Sequence, residues 1–280
     1  MSTLETLAEL FATGGIELRR GPLFDEAPSP LPTHVPLRDR VEGMLLGLAV
    51  GDALGNTSEG LLPGERRARY GEICDYLPDR YAEGRRVGLP SDNTQLAFVR
   101  LLGDLLGRDT PPAPEWWLDR YLETARELEL DRPYAPRGGA YPDFRGPLWR
   151  YVEEVVPPAW AEGLSVRDAG RRWYSGAYLL ETVPSVLYVL MRHGEDPEEA
   201  IVRAVNDTKD NDTVAAIVGA AAGALHGRSR LPGRWVENLL GRTRAHDDGE
   251  AFRLLDAACA RWVPATREGM SVPPVPRSHP

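Results

Sequence analysis

The chain has 280 residues and a formal net charge of −9, with 42% hydrophobic and 27% charged residues. This length suits one large domain or two small ones, and the composition is typical of a soluble globular protein. The acidic balance argues against a general nucleic-acid binder, which usually carries a basic surface.

The two ends of the chain are rich in proline, which disfavours regular structure. We predict a proline-rich N-terminal arm at residues 1–36 and a flexible C-terminal tail at residues 266–280. The N-terminus lacks the basic region and long apolar core of a signal peptide, and no apolar run approaches the roughly 20 residues of a membrane span.

Cys74 and Cys259 lack metal-ligand spacing and are expected to be reduced. We therefore expect a cytoplasmic protein without a membrane partner.

The region between these ends shows mainly helical periodicity. Helices are predicted at residues 41–55, 95–107, 116–130, 176–194, 196–206, from 214 onward, 234–242 and 249–262. The strongest start signal is Asp196, a typical N-cap residue followed by Pro197 and two glutamates. Pro184 is expected either to kink its helix or to lie in the first turn. Because alternating strand patterns are scarce, we predict one all-α domain over residues 37–265, a compact helical bundle.

The stretch VNDTKDNDTVAAIVGAAAGALHG, residues 205–227, joins an acidic turn to an Ala/Gly-rich segment. Small side chains allow neighbouring helices to approach closely, so this segment is predicted to be the central helix. Asp207, Asp210 and Asp212 precede or begin it. They are interpreted either as capping residues at the positive end of the helix dipole or as ligands of a cation at the mouth of the bundle.

A second turn has the same character. In LPSDNTQLAF, residues 89–98, four consecutive side chains carry oxygen and an apolar helical pattern follows: Ser91, Asp92, Asn93 and Thr94. Since Mg²⁺ takes about six oxygen ligands, two such turns are expected to share one site, although a helix cap is again the alternative. GDALGNTSEG, residues 51–60, adds Asp52 and Glu59, with an ordinary surface loop as the alternative for Glu59.

Two other motifs fit less well. DNDTV matches the D-x-D-x-[TV] pattern of dehalogenase-like phosphotransferases, but that pattern needs a preceding strand, and EEAIVRAVN has a helical pattern. An EF-hand loop starting at Asp207 would place Lys209 at a ligand position, without the required glycine and glutamate.

Four segments occur in one order: GMLLGLAVGDALGNTSEG, SDNTQLAF, SGAYLLETVPSVLY and AVNDTKDNDTVAAIVGAAAGALHG. As an ordered set they resemble the ADP-ribosylglycohydrolase family, the relatives of dinitrogenase-reductase-activating glycohydrolase, from about residue 40 to residue 227 and onward to about residue 262. The resemblance implies an all-α fold around two Mg²⁺ ions, with Mn²⁺ as an alternative. It also implies hydrolysis of the bond between ADP-ribose and a protein or small-molecule acceptor, with arginine as the leading acceptor.

The resemblance assigns roles to residues of this chain. The implied metal ligands are Ser91, Asp92, Asn93, Asp210, Asp212 and Thr213. The implied catalytic residues are Glu59, Asp92, Asn93 and Asp212. ADP-ribose is expected to contact the backbone and ring of Ser175, Gly176, Ala177 and Tyr178.

The chain departs from the family pattern at three places. Asn93 stands where relatives usually have a second aspartate, which is consistent with a natural variant, a non-catalytic binder or an introduced substitution. Lys209, which replaces a glycine, is interpreted as solvated, with a phosphate contact as the alternative. Residues 137–150 either bind pyrophosphate and adenine or form an ordinary loop. The alternative function is a non-catalytic ADP-ribose-binding or toxin-blocking, immunity-like protein, suggested by Asn93 and the N-terminal arm.

Overall fold

The regular structure is helical. The computed structural model describes residues 13, 35–78, 84–88, 99–129, 133–240, 249, 252–253, 255–257 and 259. The named helices are α1 (Leu37–Asn56), α2 (Pro63–Tyr70), α3 (Val99–Leu106), α4 (Pro114–Leu128), α5 (Leu148–Ala161), α6 (Val166–Trp173), α7 (Leu179–His193), α8 (Pro197–Asp207), α9 (Asn211–His226) and α10 (Gly233–Glu237), with a 3₁₀ turn at Arg228–Arg230. Within the described residues no β-strand forms, so the all-α prediction is confirmed.

Most of the predicted helices are present. The Asp196 side chain caps α8 by accepting hydrogen bonds from the backbone N–H groups of Glu198 and Glu199, at 2.9 and 3.1 Å. Pro184 lies inside α7. The described residues between 252 and 259 are helical, as predicted. Among the helices that the structure describes, none is long and apolar enough to cross a membrane.

Three helices were not predicted from the sequence: α2, α5 and α6. The α2 segment, PGERRARY, has no apolar stripe. The α5 segment contains Pro157 and Pro158, which usually stop a helix, but they lie near its C-terminal end. Six buried side chains anchor α5 in the core: Leu148, Tyr151, Val152, Val155, Val156 and Ala159. Tertiary packing therefore overrides the local signal.

The helix predicted at residues 234–242 is too long. α10 ends at Glu237, and the backbone that follows pairs with a distant segment instead. The N–H of Gly88 donates to the carbonyl of Asn238 at 2.8 Å, and the N–H of Leu240 donates to the carbonyl of Gly88 at 2.8 Å. This long-range pairing replaces the helical hydrogen bonds and has no local sequence signal. The predicted arm and tail fall almost entirely outside the described residues, so the domain bounds stay predictions.

The centre of the fold is the antiparallel contact between α1 and α9. A Cβ atom placed on Gly47 would lie 2.0 Å from the carbonyl oxygen of Gly219, and one on Gly219 would lie 2.0 Å from the carbonyl oxygen of Gly47. Glycines recur at every fourth position of α1 and face α9: Gly43, Gly47, Gly51 and Gly55. The two backbones are in direct contact, and α9 is buried from Val214 to Leu225. The Ala/Gly-rich segment is therefore the central helix, as predicted.

Gly47→Ala is expected to lower the unfolding temperature strongly, because the new methyl group would overlap the backbone of α9. Overpacking of this kind costs roughly 1–3 kcal/mol, and each kcal/mol corresponds to about 2–4 °C in a domain of this size, so we expect a decrease of roughly 2–12 °C in thermal denaturation. Gly103→Ala is the matched control, since a Cβ there meets no atom within 4 Å and the position is an exposed helical site. That control should be neutral or slightly stabilising. Equal melting temperatures for the two variants would contradict the direct backbone contact.

Candidate active site

The acidic turn between α8 and α9 is held by the segment before α7. The carbonyl oxygen of Ser175 accepts hydrogen bonds from the backbone N–H groups of Lys209 and Asp210, at 3.1 and 2.9 Å. Tyr174 and Ser175 have φ angles of 77° and 41°, in the left-handed region that non-glycine residues rarely adopt. Such backbone strain is often found at functional sites, where the surrounding structure maintains it. The buried Ser175 thus supports the turn through its backbone.

A cleft of about 480 Å³ opens beside this turn. It is lined by Glu59, Gly60, Arg137, Tyr174, Gly176, Ala177, Glu181, Lys209 and Asp210. Its volume lies in the range of small-molecule binding sites. The structure therefore brings together four residues that the sequence assigned to one site: Glu59, Gly176, Ala177 and Asp210.

The other predicted site residues have different positions. Asp212 is fully buried in the first turn of α9, directly behind the cleft, and Thr213 is half-buried beside it. Tyr178 is partly buried, with its ring centroid 6.3 Å from that of Tyr134. The predicted second turn lies outside the described residues: Ser91, Asp92, Asn93 and Thr94. Their placement at this site stays a prediction.

Asp210 contributes a carboxyl group with a strongly raised pKa to the cleft. Burial raises the pKa of its carboxyl group to about 7, and the neighbouring charges of Asp212 and Glu59 act in the same direction. Its Oδ2 atom is buried without a hydrogen-bond partner in the part of the chain that the structure describes. Asp210 holds the N-cap position of α9, yet within that part its side chain makes no capping hydrogen bond. The helix-cap interpretation is therefore not supported for this residue.

The donor atoms fit a hard cation. The Oδ1 atom of the next residue, Asn211, is also buried without a partner among the described residues. Carboxylate, amide and hydroxyl oxygens are the ligands that Mg²⁺ and Mn²⁺ prefer. Across the described ranges no three histidine, cysteine, aspartate or glutamate side chains form a metal-binding group. Residues 91–93, which supply the other predicted ligands, lie outside these ranges, so the metal site stays a prediction.

Asp207, the first aspartate of the stretch, has a different role. It ends α8 and forms an ion pair with Arg203 at 3.2 Å. Burial raises the pKa of its carboxyl group, while the Arg203 charge opposes this effect. Of the three aspartates only Asp210 lines the cleft. Asp212 acts on it electrostatically, since the Asp212 charge helps to raise the pKa of Asp210, whereas Asp207 is paired with Arg203.

Arg137 lines the cleft and begins the stretch 137–150, for which the sequence offered either a pyrophosphate-binding role or an ordinary loop. Its ion-pair partner was not predicted. The Nε and Nη2 atoms of Arg137 donate to the two carboxylate oxygens of Glu181, at 3.2 and 3.1 Å. Glu181 is only 1% exposed, and Arg137 also lies 4.6 Å above the ring centroid of Tyr178. A Cβ atom on Gly176 would lie 2.4 Å from Glu181 Oε2, so a larger residue there would displace the Glu181 carboxylate from its present position. The sequence feature that could have indicated this ion pair is Glu181, a lone glutamate in the apolar helix α7, because a buried charged residue usually has a partner of opposite charge.

Lys209 forms the second cationic element of the rim. It is half-buried, and its Nζ atom donates to the hydroxyl of Tyr174 at 2.6 Å. The same ammonium group lies 3.9 Å from the Tyr174 ring centroid. Lys209 is therefore not simply solvated. The cleft lining thus combines three carboxylates, Glu59, Glu181 and Asp210, with two cations, Arg137 and Lys209, which suits a ligand carrying both hydroxyl and phosphate groups.

Comparison with known proteins gives consistent matches. A family model described as ADP-ribosylglycohydrolase matches residues 33–147 and 118–263. ADP-ribosylarginine hydrolase Tri1 of Serratia proteamaculans (strain 568) is 33% identical over 309 residues, covering 83% of this chain and 84% of that protein. ADP-ribosylhydrolase ARH3 of Xenopus tropicalis is 25% identical over 193 residues, covering 64% of this chain and 55%, about half, of that relative. A solved chain named "ADP-ribosylglycohydrolase-related protein complex" shares 27% identity over 78% of this chain and 96% of that chain, with a TM-score of 0.41.

Proposed function

This chain belongs to the ADP-ribosylglycohydrolase family, and we propose that it hydrolyses the glycosidic bond between ADP-ribose and an arginine side chain of a modified protein, with Mg²⁺ as cofactor. The observation that carries the proposal is the cleft that Asp210 and Glu59 line together with Gly176 and Ala177. Arginine is the proposed acceptor because a relative with 33% identity is named an ADP-ribosylarginine hydrolase.

The proposed metal ligands combine the two acidic turns. From α9, Asp210, Asp212 and Thr213 would hold Mg²⁺, and the remaining side-chain oxygens would come from residues 91–93. When bound, the metal would offset the repulsion among the carboxylates, orient the ribose hydroxyls and polarise a water molecule. The buried and unpartnered Asp210 Oδ2 supports this assignment, because a buried carboxylate oxygen is costly without a partner.

The remaining residues of the cleft suit the rest of the substrate. Glu59 is exposed at the opening, where a carboxylate can exchange protons with water and stabilise positive charge that develops on the ribose. Gly176 and Ala177 precede α7, so a phosphate near them would lie at the positive end of a helix dipole. Arg137 and Lys209 on the rim add two cations for the same phosphates.

The direct test is release of free ADP-ribose from an ADP-ribosylarginine peptide, followed by chromatography. We expect release with Mg²⁺ and none with a chelator in excess. An O-linked ADP-ribosyl peptide of the same sequence serves as the acceptor control. Turnover that persists in chelator would contradict the role of the metal. Turnover confined to the O-linked peptide would contradict arginine as the acceptor.

Arg137→Ala is expected to weaken substrate binding and to leave the chemical step nearly unchanged. Charge-assisted hydrogen bonds contribute about 1.5–3 kcal/mol, so KM should rise roughly 10- to 100-fold while kcat stays within about threefold. Arg150→Ala is the matched control, because both side chains are 56% exposed and both form an ion pair, but Arg150 is not part of the cleft. A decrease confined to kcat in the Arg137 variant would contradict a phosphate-binding role.

A non-catalytic role is the second candidate function. Asn93 favours it, since an amide brings neither the charge nor the basicity of the aspartate usual in relatives. Such a protein would bind ADP-ribose, as measured by calorimetry, without releasing it from any of the modified peptides. Measured turnover that depends on Mg²⁺ would exclude this alternative.

A further inference from the structure

A fully buried arginine lies beneath the candidate site. Arg66 on α2 is 0% exposed. Its Nη1 atom donates to the carbonyl oxygens of Val205 and Thr208, at 2.8 and 2.7 Å. Its Nη2 atom donates to the carbonyl oxygens of Leu61 and Lys209, at 2.9 and 3.3 Å. One side chain thus satisfies four backbone carbonyls from two distant parts of the chain.

Three of these carbonyls belong to, or lie next to, two segments that line the cleft. Thr208 and Lys209 lead directly into Asp210, whereas Leu61 follows the loop that carries Glu59. The guanidinium group is planar and presents its donors in a fixed fork, so it can hold both segments at one distance. A lysine ammonium group cannot reproduce that geometry, although it carries the same charge.

The charge of Arg66 also lies near the carboxylates. Burial lowers the pKa of its guanidinium group to about 10, and the charges of Asp212 and Asp207 oppose this decrease. The side chain therefore remains positive at neutral pH. A fixed cation beside the acidic turn reduces the repulsion among its carboxylates before any metal ion binds.

We propose that Arg66 is a positioning residue of the candidate active site: it fastens the acidic turn at residues 208–210 to the loop that carries Glu59. The turn then keeps its conformation in the metal-free protein. The expected effect of Arg66 on Mg²⁺ affinity rests on the proposed function. The fastening of the turn by Arg66 does not depend on it.

Hydrogen exchange of the metal-free protein tests the fastening. In Arg66→Lys, the amides of Lys209 and Asp210 should lose at least about tenfold of their protection, while amides in the middle of α7 change less than about twofold. Arg40→Lys is the matched control, since Arg40 is 8% exposed and its Nη1 donates to the carbonyl of Ala224, at the other end of α9. It should leave Lys209 and Asp210 unchanged. Unchanged protection of these two amides in Arg66→Lys overturns the proposal.

Mg²⁺ binding to the same variants, measured by calorimetry, gives the second readout. Because lysine keeps the positive charge, a dissociation constant raised by about tenfold in Arg66→Lys but not in Arg40→Lys reports lost positioning. Absence of Mg²⁺ binding by the unmodified chain would contradict the proposed function, and the exchange result would still decide the fastening.

If Arg66→Lys does not fold, hydrogen exchange in the unmodified chain decides whether the turn is fastened. The amides of Lys209 and Asp210 should then open only with global unfolding. Local opening of these amides would overturn the proposal.

Discussion

Asp210→Asn is expected to reduce kcat for ADP-ribosylarginine hydrolysis by roughly a thousandfold, because a lost metal contact costs several kcal/mol of transition-state stabilisation. The Asp210 carboxylate lines the cleft, and its Oδ2 atom has no partner within the described residues. An amide keeps the size and one oxygen of the side chain but removes its charge. The loss should therefore reflect the missing carboxylate and not a change in packing.

Asp207→Asn provides a matched control for this substitution. Asp207 and Asp210 are both 8% exposed, lie three positions apart and have carboxyl groups whose pKa is raised by burial. Asp207, however, pairs with Arg203 and does not line the cleft. We expect Asp207→Asn to lower the unfolding temperature and to leave kcat within about threefold. Similar kcat values for the two variants would contradict the assignment of Asp210.

The thermal stability of the Asp210 variant supplies a readout that does not depend on activity. At 100 times its Kd, Mg²⁺ should stabilise the unmodified chain by about 2.7 kcal/mol, which corresponds to roughly 5–10 °C in Tm. Asp210→Asn should lose most of this increase. Without Mg²⁺ the variant should melt above the unmodified chain at pH 8, because Asp212 and Glu59 no longer face a third charge. A full Mg²⁺-dependent increase in the variant would exclude Asp210 as a ligand.

The sequence was most informative where local chemistry and fold agree. The alanines and glycines of α9 could only suit a helix with close neighbours, and the structure places it against the glycine face of α1. Asp210 and Asp212 were identifiable because three aspartates exceed what one helix cap requires. The end of α8 was predicted to within one residue. Asp207, at that end, is distinguished from the site residues by its ion pair with Arg203.

Long-range partners account for what the sequence did not predict. Arg66 lies in a polar segment that resembles an exposed helix, and nothing near it shows that its donors reach carbonyls more than 130 positions away. The Arg137–Glu181 pair spans 44 positions, and the early end of α10 depends on Gly88. In each case a buried polar group finds its partner through the fold, so local periodicity carries no information about it.

Asn93→Asp is expected to strengthen Mg²⁺ binding by roughly tenfold or more, since the affinity of oxygen-ligand sites rises with the number of charged ligands. By the resemblance to the family, residue 93 stands at the position of an expected second aspartate, directly after Ser91 and Asp92. If Asn93 limits catalysis, kcat should rise together with the affinity. Calorimetry with Mg²⁺ and the ADP-ribose release assay would measure the two effects separately.

The control for this substitution is Asn206→Asp, which adds the same charge at a buried asparagine outside the cleft. Asn206 accepts from the N–H of Ile73 at 2.8 Å and donates to the carbonyls of Ile73 and Val202, at 2.9 and 2.8 Å, so an aspartate there would lose two donated bonds. Asn206→Asp should lower Tm without tightening Mg²⁺ binding.

Tighter binding with unchanged kcat in Asn93→Asp would show that the amide is a tolerated ligand and that the chain is already a competent hydrolase. Tighter binding with turnover that only the aspartate form shows would identify Asn93 as the residue that prevents catalysis in the unmodified chain.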